Sequence, residues 1–481
     1  MANRIEIARG AQPGWAKLSV CERLAALKKM RLALTARLDP VVETICEEVG
    51  KPPLDALSGD VLVVLEHMRY CEREAVNVLR TRRVGQPAIL FRGVRFDEVM
   101  EPHGVALVFA PWNYPLQLAM VPMTTALVAG NAVVLKCSER TPKVAALIAE
   151  LCAEARLPEG LVQVCCDAPV EAQALIEAGP DVVFFTGSSA NGRAVAERCA
   201  TLQIPAIMEL GGKDACLVFA SCDLERTIDG VTYAAFSNAG QVCVGAKRVY
   251  VERTILAAFV AGFLARARMI RVGTAVDCDM GPVQMEFLRS LLAEQVDDGI
   301  ARGATLHADW DRQGNVVPPL ILTGVPRAAR LLNDETFGPV VCVESFGDEL
   351  EAIALANDSA FALGASVFSG NKVQAQRVAR ALNTGSCTIN DAIRSVGNPY
   401  ASFGGNKASG YGRYHGRAGL EVFSRMKSVM TVIRPQRKEI HWFPLTAKTY
   451  AQLRGLMLFR HGAGSVLARM KQLMKIRRVG S

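Results

Sequence analysis

Val105-Ala106-Leu107-Val108-Phe109-Ala110 is an unbroken apolar run, ended by Pro111-Trp112-Asn113-Tyr114-Pro115. A half-exposed strand would alternate, so the run reads as a strand buried on both faces. The signature returns at 132–136, 161–165, 181–186 and 204–209, with helical patterns between at 116–129, 142–155, 170–178 and 190–200. Strands alternating with helices imply a parallel sheet, wound right-handed and covered on both faces. Such a sheet binds ligands beyond the carboxyl ends of its strands. Polar residues stand there: Asn113 after the first strand, Lys136-Cys137-Ser138-Glu139 after the second, Thr186-Gly187-Ser188 after the fourth. A glycine before a helix offers free N–H groups to a phosphate, although Gly187-Ser188 reads equally well as a plain turn. Gly410-Tyr411-Gly412 and Gly416 come nearer the dinucleotide spacing but follow no strand, so they carry no weight.

Working outward, the first hundred residues read as a helical layer. Ser19-Val20-Cys21-Glu22 has capping-box spacing, Asp39-Pro40 restarts a helix with proline in its first position, Gly50-Lys51-Pro52-Pro53 stops it, and 57–80 is helical again. After Glu209-Leu210-Gly211-Gly212-Lys213 a second series begins. Its strands are expected at 215–219, 248–252, 340–343, 364–368 and 386–389, and its helices near 224–238, 255–271, 286–301, 349–356 and 372–382. No Gly, Pro or Ser-rich linker parts the two series, so they are expected to be fused with a cleft between them. The resulting division is a helical layer and dinucleotide-binding domain over 1–210, a catalytic domain over 211–395, a return and oligomerisation segment over 396–435, and a basic helical tail over 436–481.

A chain of 481 residues, half of them hydrophobic, exceeds one core and excludes disorder. Fourteen cysteines without a Cys-x-x-Cys pair read as a reduced, cytoplasmic protein, and six scattered histidines give no metal site a footing. The N-terminus lacks the apolar segment of a signal peptide. Of the net charge of +8, the tail from Gln436 onward carries ten cations against Glu439, a surplus of nine. The body is therefore near neutral, which argues against nucleic-acid binding.

Ser237-Asn238-Ala239-Gly240-Gln241-Val242-Cys243 carries the nucleophile candidate. A thiol attacks as thiolate, and Ala239 and Gly240 would let a reagent approach the backbone. By itself Cys243 reads first as a small buried hydrophobe. Its company decides. The Asn113, Lys136, Gly187 and Glu209 motifs already quoted, the stretch 238–243, Glu335-Thr336-Phe337-Gly338-Pro339 and Phe403-Gly404-Gly405-Asn406-Lys407-Ala408-Ser409-Gly410 together resemble the aldehyde dehydrogenase superfamily, over nearly the whole chain. The short N-terminus, Arg413-Tyr414-His415-Gly416 and the helical tail resemble its class 3 or fatty-aldehyde branch.

The resemblance implies a Rossmann-like parallel-sheet cofactor domain fused to a second α/β domain. It makes Cys243 the nucleophile, Glu209 the general base and Asn113 the side-chain donor of an oxyanion hole. Lys136 and Glu139 match residues that hold the adenosine ribose, Ser188 one on the pyrophosphate, Glu335 and Phe337 residues at the nicotinamide; Trp112, Ser138 and Gly187 share those motifs. Tyr414 stands where some branches carry an acid, which puts a second relay carboxylate in doubt. The cofactor implied is NAD, with NADP the alternative, because Glu139 would repel a 2′-phosphate while Lys136 stands close to it.

The expected activity is oxidation of an aldehyde to its acid, through a Cys243 thioester hydrolysed by activated water. Leu118, Val121 and Phe403 match the mouth of the substrate channel and suit an aliphatic or aromatic aldehyde. Arg394 would instead grip the carboxylate of a semialdehyde, unless it is a surface residue. The acylating rival, which passes the thioester to coenzyme A, usually lacks a carboxylate at the Glu209 position. A silent scaffold would be expected to have lost Cys243, Glu209 or Asn113. A homodimer or homotetramer is expected. In the tail, Val466, Leu467, Met470, Leu473 and Met474 share a helical face, with Arg469, Lys471, Lys475 and Arg478 around it. That pattern fits packing on a partner subunit or peripheral contact with an anionic membrane.

Overall fold

The computed structural model describes residues 2–85, 91, 93–312, 316–435, 437–439, 441–467 and 469–470. The chain packs as two compact units, Met1–Leu79 with Glu101–Arg425, and Arg80–Met100 with Met426–Ser481. The first unit holds both α/β series.

The strands of the first series are Val105–Phe109, Ala132–Lys136, Val162–Cys165, Val182–Thr186 and Ala206–Glu209, parallel throughout. Across the sheet the order is fifth, fourth, first, second, third, with Gly410–Tyr411 added antiparallel at the edge beside Glu209. The order reverses between the first and fourth strands, which opens the crevice where such sheets take ligands. Register brings the functional ends level: Phe109 lies opposite Lys136 and Phe185, and Thr186 opposite Glu209. The first helix, Pro115–Ala129, is buried along its whole length, which its apolar sequence dictates.

The second series builds a seven-stranded sheet in the order Thr305–Leu306, Leu320–Thr323, Val340–Phe346, Ala246–Glu252, Asp214–Val218, Ala365–Phe368, Thr388–Ile389. Leu320–Thr323, directly after Pro318-Pro319, was not anticipated. In the helical layer the Ser19/Glu22 capping box forms as expected. Helix Leu38–Val49 starts two residues before Pro40, so proline occupies its third position and not its first. Helix Ala2–Ala16 is an addition.

In the second unit Arg82–Val84 pairs antiparallel with Val94–Pro102, and Ser424–Val432 completes a three-stranded sheet. Helix Ala447–His461 opens with a Thr446 cap. Of the expected tail helix, Val466, Leu467 and Met470 are largely exposed, and Leu473, Met474, Lys471, Lys475 and Arg478 lie outside the described residues. Among the described residues no helix is long and apolar enough to cross a membrane, and none of the His, Cys, Asp and Glu side chains cluster as a metal site.

Candidate active site

Helix Leu224–Phe236 stops short of residue 238, and the chain turns through Ser237–Gly240 into Cys243. Asn238, Ala239 and Gly240 all hold positive φ, at 48°, 54° and 66°. For the first two that conformation stores strain, and the surroundings must hold it. They do: Asn238 Nδ2 donates to the carbonyls of Asn113 (3.1 Å) and Gln241 (3.3 Å), and Gln241 Nε2 donates to the Asn238 carbonyl (2.9 Å). Lys247 Nζ, buried, donates to the carbonyls of Gly240 and Gly338, both at 2.7 Å. A Cβ on Gly240 would sit 2.1 Å from the Gly338 oxygen. Gly240 is therefore required by this close packing of two backbones, and neither it nor Ala239 lines the cavity that Cys243 opens into.

That cavity, of about 300 Å³, is lined by Asn113, Glu209, Cys243, Glu335, Phe337 and Phe403 among others. Asn113 and Glu209 come from strand ends of the first sheet, Cys243 and Glu335 from loops of the second. Burial pushes the Cys243 thiol up to about 12, with the carboxylates of Asp214, Glu209 and Glu335 adding to it and the Val244 N–H opposing. Glu209 is 4% exposed, and both its oxygens lack a hydrogen-bond partner. Burial holds its carboxyl well above the usual range, against the Arg413 charge. Tyr414 is likewise raised, by burial first and then by Glu209 and Cys243. Asn113 Nδ2 donates to the Gln241 carbonyl at 3.0 Å, which aims the amide toward the nucleophile's turn.

On the far side, Gly211 leaves room for Glu335: a Cβ there would lie 2.3 Å from its carboxylate. Burial raises Glu335 to about 7, opposed by Lys213, Lys247 and the Gly212 N–H. Lys213 donates to Thr336 Oγ1 at 2.5 Å, Thr336 Oγ1 to Gln295 Oε1 at 2.8 Å, and Gln295 Nε2 to the Glu335 carbonyl at 2.9 Å. This chain fixes the loop that presents Glu335 and Phe337. Trp112 meets the Phe337 ring edge-on at 5.9 Å between centroids.

A second cleft, of about 610 Å³, runs outward from the first and shares Trp112, Gly187, Ser188 and Phe287 with it. Lys136, Ser138 and Glu139 line it. Lys136 Nζ bonds Glu139 Oε2 at 3.1 Å. Ser188 caps helix Ser189–Thr201, accepting from the Asn191 N–H, so the helix's free N–H groups open into the cleft. A long cleft with a carboxylate, an ammonium and a helix start fits a dinucleotide.

Two expected channel residues are placed elsewhere. Val121 is wholly buried in the core and Arg394 is exposed and paired with Asp391; neither lines the cavity. Leu118 and Phe403 do, joined by Phe287, Leu288, Leu291 and Leu363, which the sequence did not single out. Gly410 lies in the edge strand Gly410–Tyr411, and Gly416 opens helix Gly416–Val422.

Residues 1–429 match the Aldehyde dehydrogenase family. The chain belongs to that family. It is 41% identical over 456 residues to a 4,4′-diapolycopene aldehyde oxidase of a Methylomonas species, covering 95% of this chain and 86% of that one. A candidate succinate-semialdehyde dehydrogenase [NADP(+)] of Mycolicibacterium smegmatis is 36% identical, over 88% of this chain and 83% of its own. A point mutant of betaine aldehyde dehydrogenase of Staphylococcus aureus, solved with NAD+, superposes with a TM-score of 0.86 at 30% identity, covering 92% and 91%. The NAD-dependent aldehyde dehydrogenase of Sinorhizobium meliloti gives 0.87 at 31%, covering 92% and 89%. The fold is that of these relatives, and the chemistry of the family is aldehyde oxidation.

Proposed function

We propose that this enzyme oxidises an aldehyde with an apolar body to the carboxylic acid, using NAD(P)+, through a thioester on Cys243. The observation that carries the reading is Glu209: a buried carboxylate with two unpartnered oxygens, in the same cavity as the thiol. Such a group is costly to bury and useful to a reaction that needs a strong base held dry.

Cys243 loses its proton to solvent and adds as thiolate to the aldehyde carbon, and the oxyanion formed meets the Asn113 amide and the Cys243 N–H. One lost donor of that kind costs about 3–4 kcal/mol. Bound NAD(P)+ supplies the hydride acceptor. Trp112 and Phe337 line the cavity and would flank the nicotinamide, and Glu335 and Glu139 would hold the ribose hydroxyls. Glu209 then takes the proton of the water that hydrolyses the thioester, which frees the acid and returns the thiol. Lysine and arginine are absent from the described lining of the cavity, which disfavours a semialdehyde, since its carboxylate would go unpaired. The Methylomonas relative is named for 4,4′-diapolycopene aldehyde and the Mycolicibacterium smegmatis one for succinate semialdehyde, so the choice rests on the cavity lining.

The test is NADH or NADPH formation with a panel of straight-chain aldehydes and succinate semialdehyde. Transfer of each methylene contributes about 0.8 kcal/mol, so kcat/KM rises by about fourfold per methylene until the cavity is filled. A preference for succinate semialdehyde over octanal would overturn the substrate class. No activity with any aldehyde would overturn the reading itself.

A further inference from the structure

The helical N-terminal layer, which shows no chemistry in its sequence, reaches the site. Ala56–Val61 is a π-helical turn, whose i→i+5 bonding brings residues five apart toward one face, a device common at functional sites. Asp55 and Asp60 are such a pair. Asp55 Oδ2 accepts the Asn238 N–H at 3.0 Å, at the start of the strained turn. Asp60 Oδ1 accepts the N–H groups of Leu116 and Gln117, both at 3.1 Å. Those belong to the first turn of helix Pro115–Ala129, whose own N-cap residue, Tyr114, makes no side-chain cap. Asp60 caps that helix from another segment.

The other oxygen of Asp60 pairs with Lys51 Nζ at 2.8 Å, and neither side chain has any exposure. The same ammonium donates to the Asn113 backbone carbonyl at 2.7 Å and lies 3.8 Å from the centre of the Tyr114 ring. Asn238 Nδ2 reaches the same carbonyl. The Asn113 peptide is thus gripped by two donors, and the helix after it is pinned by Asp60. One Nδ2 hydrogen of Asn113 is taken by Gln241, which leaves the second for the cavity.

A fully buried ion pair is a weak source of stability, because desolvation offsets its attraction. What this one fixes is the placement of a peptide. We propose that Lys51 and Asp60 are positioning residues of the reaction, holding the Asn113 peptide so that its side-chain amide meets the developing oxyanion. The inference rests on the role given to Asn113 above. Neither Lys51 nor Asp60 lines the cavity; both act through Asn113.

The test is a cycle on the full-length enzyme: wild type, Asn113→Ala, the neutral pair Lys51→Met/Asp60→Asn, and all three changes together. Methionine keeps the length of Lys51, and asparagine keeps an acceptor for Leu116 and Gln117, so what is lost is the charge pair and the Lys51 donor to the Asn113 carbonyl. The readouts are the single-turnover rate of NADH formation, KM for NAD+ and Tm. Asn113→Ala lowers the rate by about 10²–10³. The neutral pair lowers it by about tenfold or more where Asn113 is present, and by less than about twofold where Asn113 is already alanine, with KM for NAD+ unchanged. Equal losses in both backgrounds would show a general structural effect and overturn the proposal. So would no loss with Asn113 present. If Asn113→Ala itself leaves the rate unchanged, the oxyanion role of Asn113 fails, and the positioning role falls with it. Should the neutral pair not fold, Lys51→Arg, which keeps the charge and displaces the donor, is read in the same cycle.

Discussion

Glu209 and Glu139 both stand at carboxyl ends of strands in one sheet, yet their surroundings are opposite. Glu139 is partly exposed and held by Lys136. Burial pushes its carboxyl up, but its own backbone N–H and the Lys136 ammonium outweigh that, and it titrates below the usual range. Glu209 is buried with nothing bonded to either oxygen and titrates well above it. In the cofactor cleft Glu139 is thus a satisfied group that holds a shape, and in the inner cavity Glu209 is an unsatisfied one. The difference matches the roles proposed for the two carboxylates: Glu139 to bind, Glu209 to move a proton.

The largest expected effect comes from the inner cavity. Cys243→Ala lowers kcat by at least about 10⁴-fold and leaves the NAD+ Kd within about twofold of wild type, as titration by cofactor fluorescence would show. Loss of cofactor binding together with activity would mean that the two regions are not separable, and acylation of Cys387 or another thiol would move the nucleophile elsewhere.

Next is the stability cost of Glu209. Its pKa is raised on folding, so the stability it contributes is full below the ordinary carboxylate value and is lost as pH rises toward the folded one. Glu209→Gln removes that loss. The variant is more stable than wild type, by an amount that grows by up to about 1.4 kcal/mol per pH unit above the ordinary carboxylate range. Thermal melts at pH 5 and pH 8 read this directly, and an equal Tm difference at the two values would show that Glu209 is not held protonated.

The smallest effect belongs to the cleft. Glu139→Gln weakens NAD+ binding by about tenfold, the worth of a charge-assisted hydrogen bond, moves the NADP+/NAD+ preference toward NADP+, and leaves kcat at saturating cofactor near wild type. A fall in kcat there would bring Glu139 into the chemistry and blur the contrast.

The parallel strands were legible because fully buried strands must be apolar throughout, and 132–136 was read to the residue. The strands Arg82–Val84, Val94–Pro102 and Ser424–Val432 were not, because their exposed faces carry Arg, Glu and Lys in place of an apolar run. The motifs brought Asn113, Glu209, Cys243, Glu335 and Phe337 to one cavity. They misplaced Val121, because a helix buried on every side gives no sequence sign of which face meets the cavity. Lys51 and Asp60 were invisible for a different reason: a buried ion pair looks like two surface charges until 62 residues of chain fold Asn113 against it.

The central claim is that Glu209 serves deacylation. Rapid mixing of Glu209→Gln with aldehyde and saturating NAD+ measures it. The account predicts a burst near one NADH per active site, at close to the wild-type rate, followed by turnover reduced by at least about 10²-fold, with an acyl group trapped on Cys243. In wild type the slow phase should quicken as pH rises and Glu209 ionises. A burst that vanished together with turnover would contradict it, and would make Glu209 the base that activates Cys243.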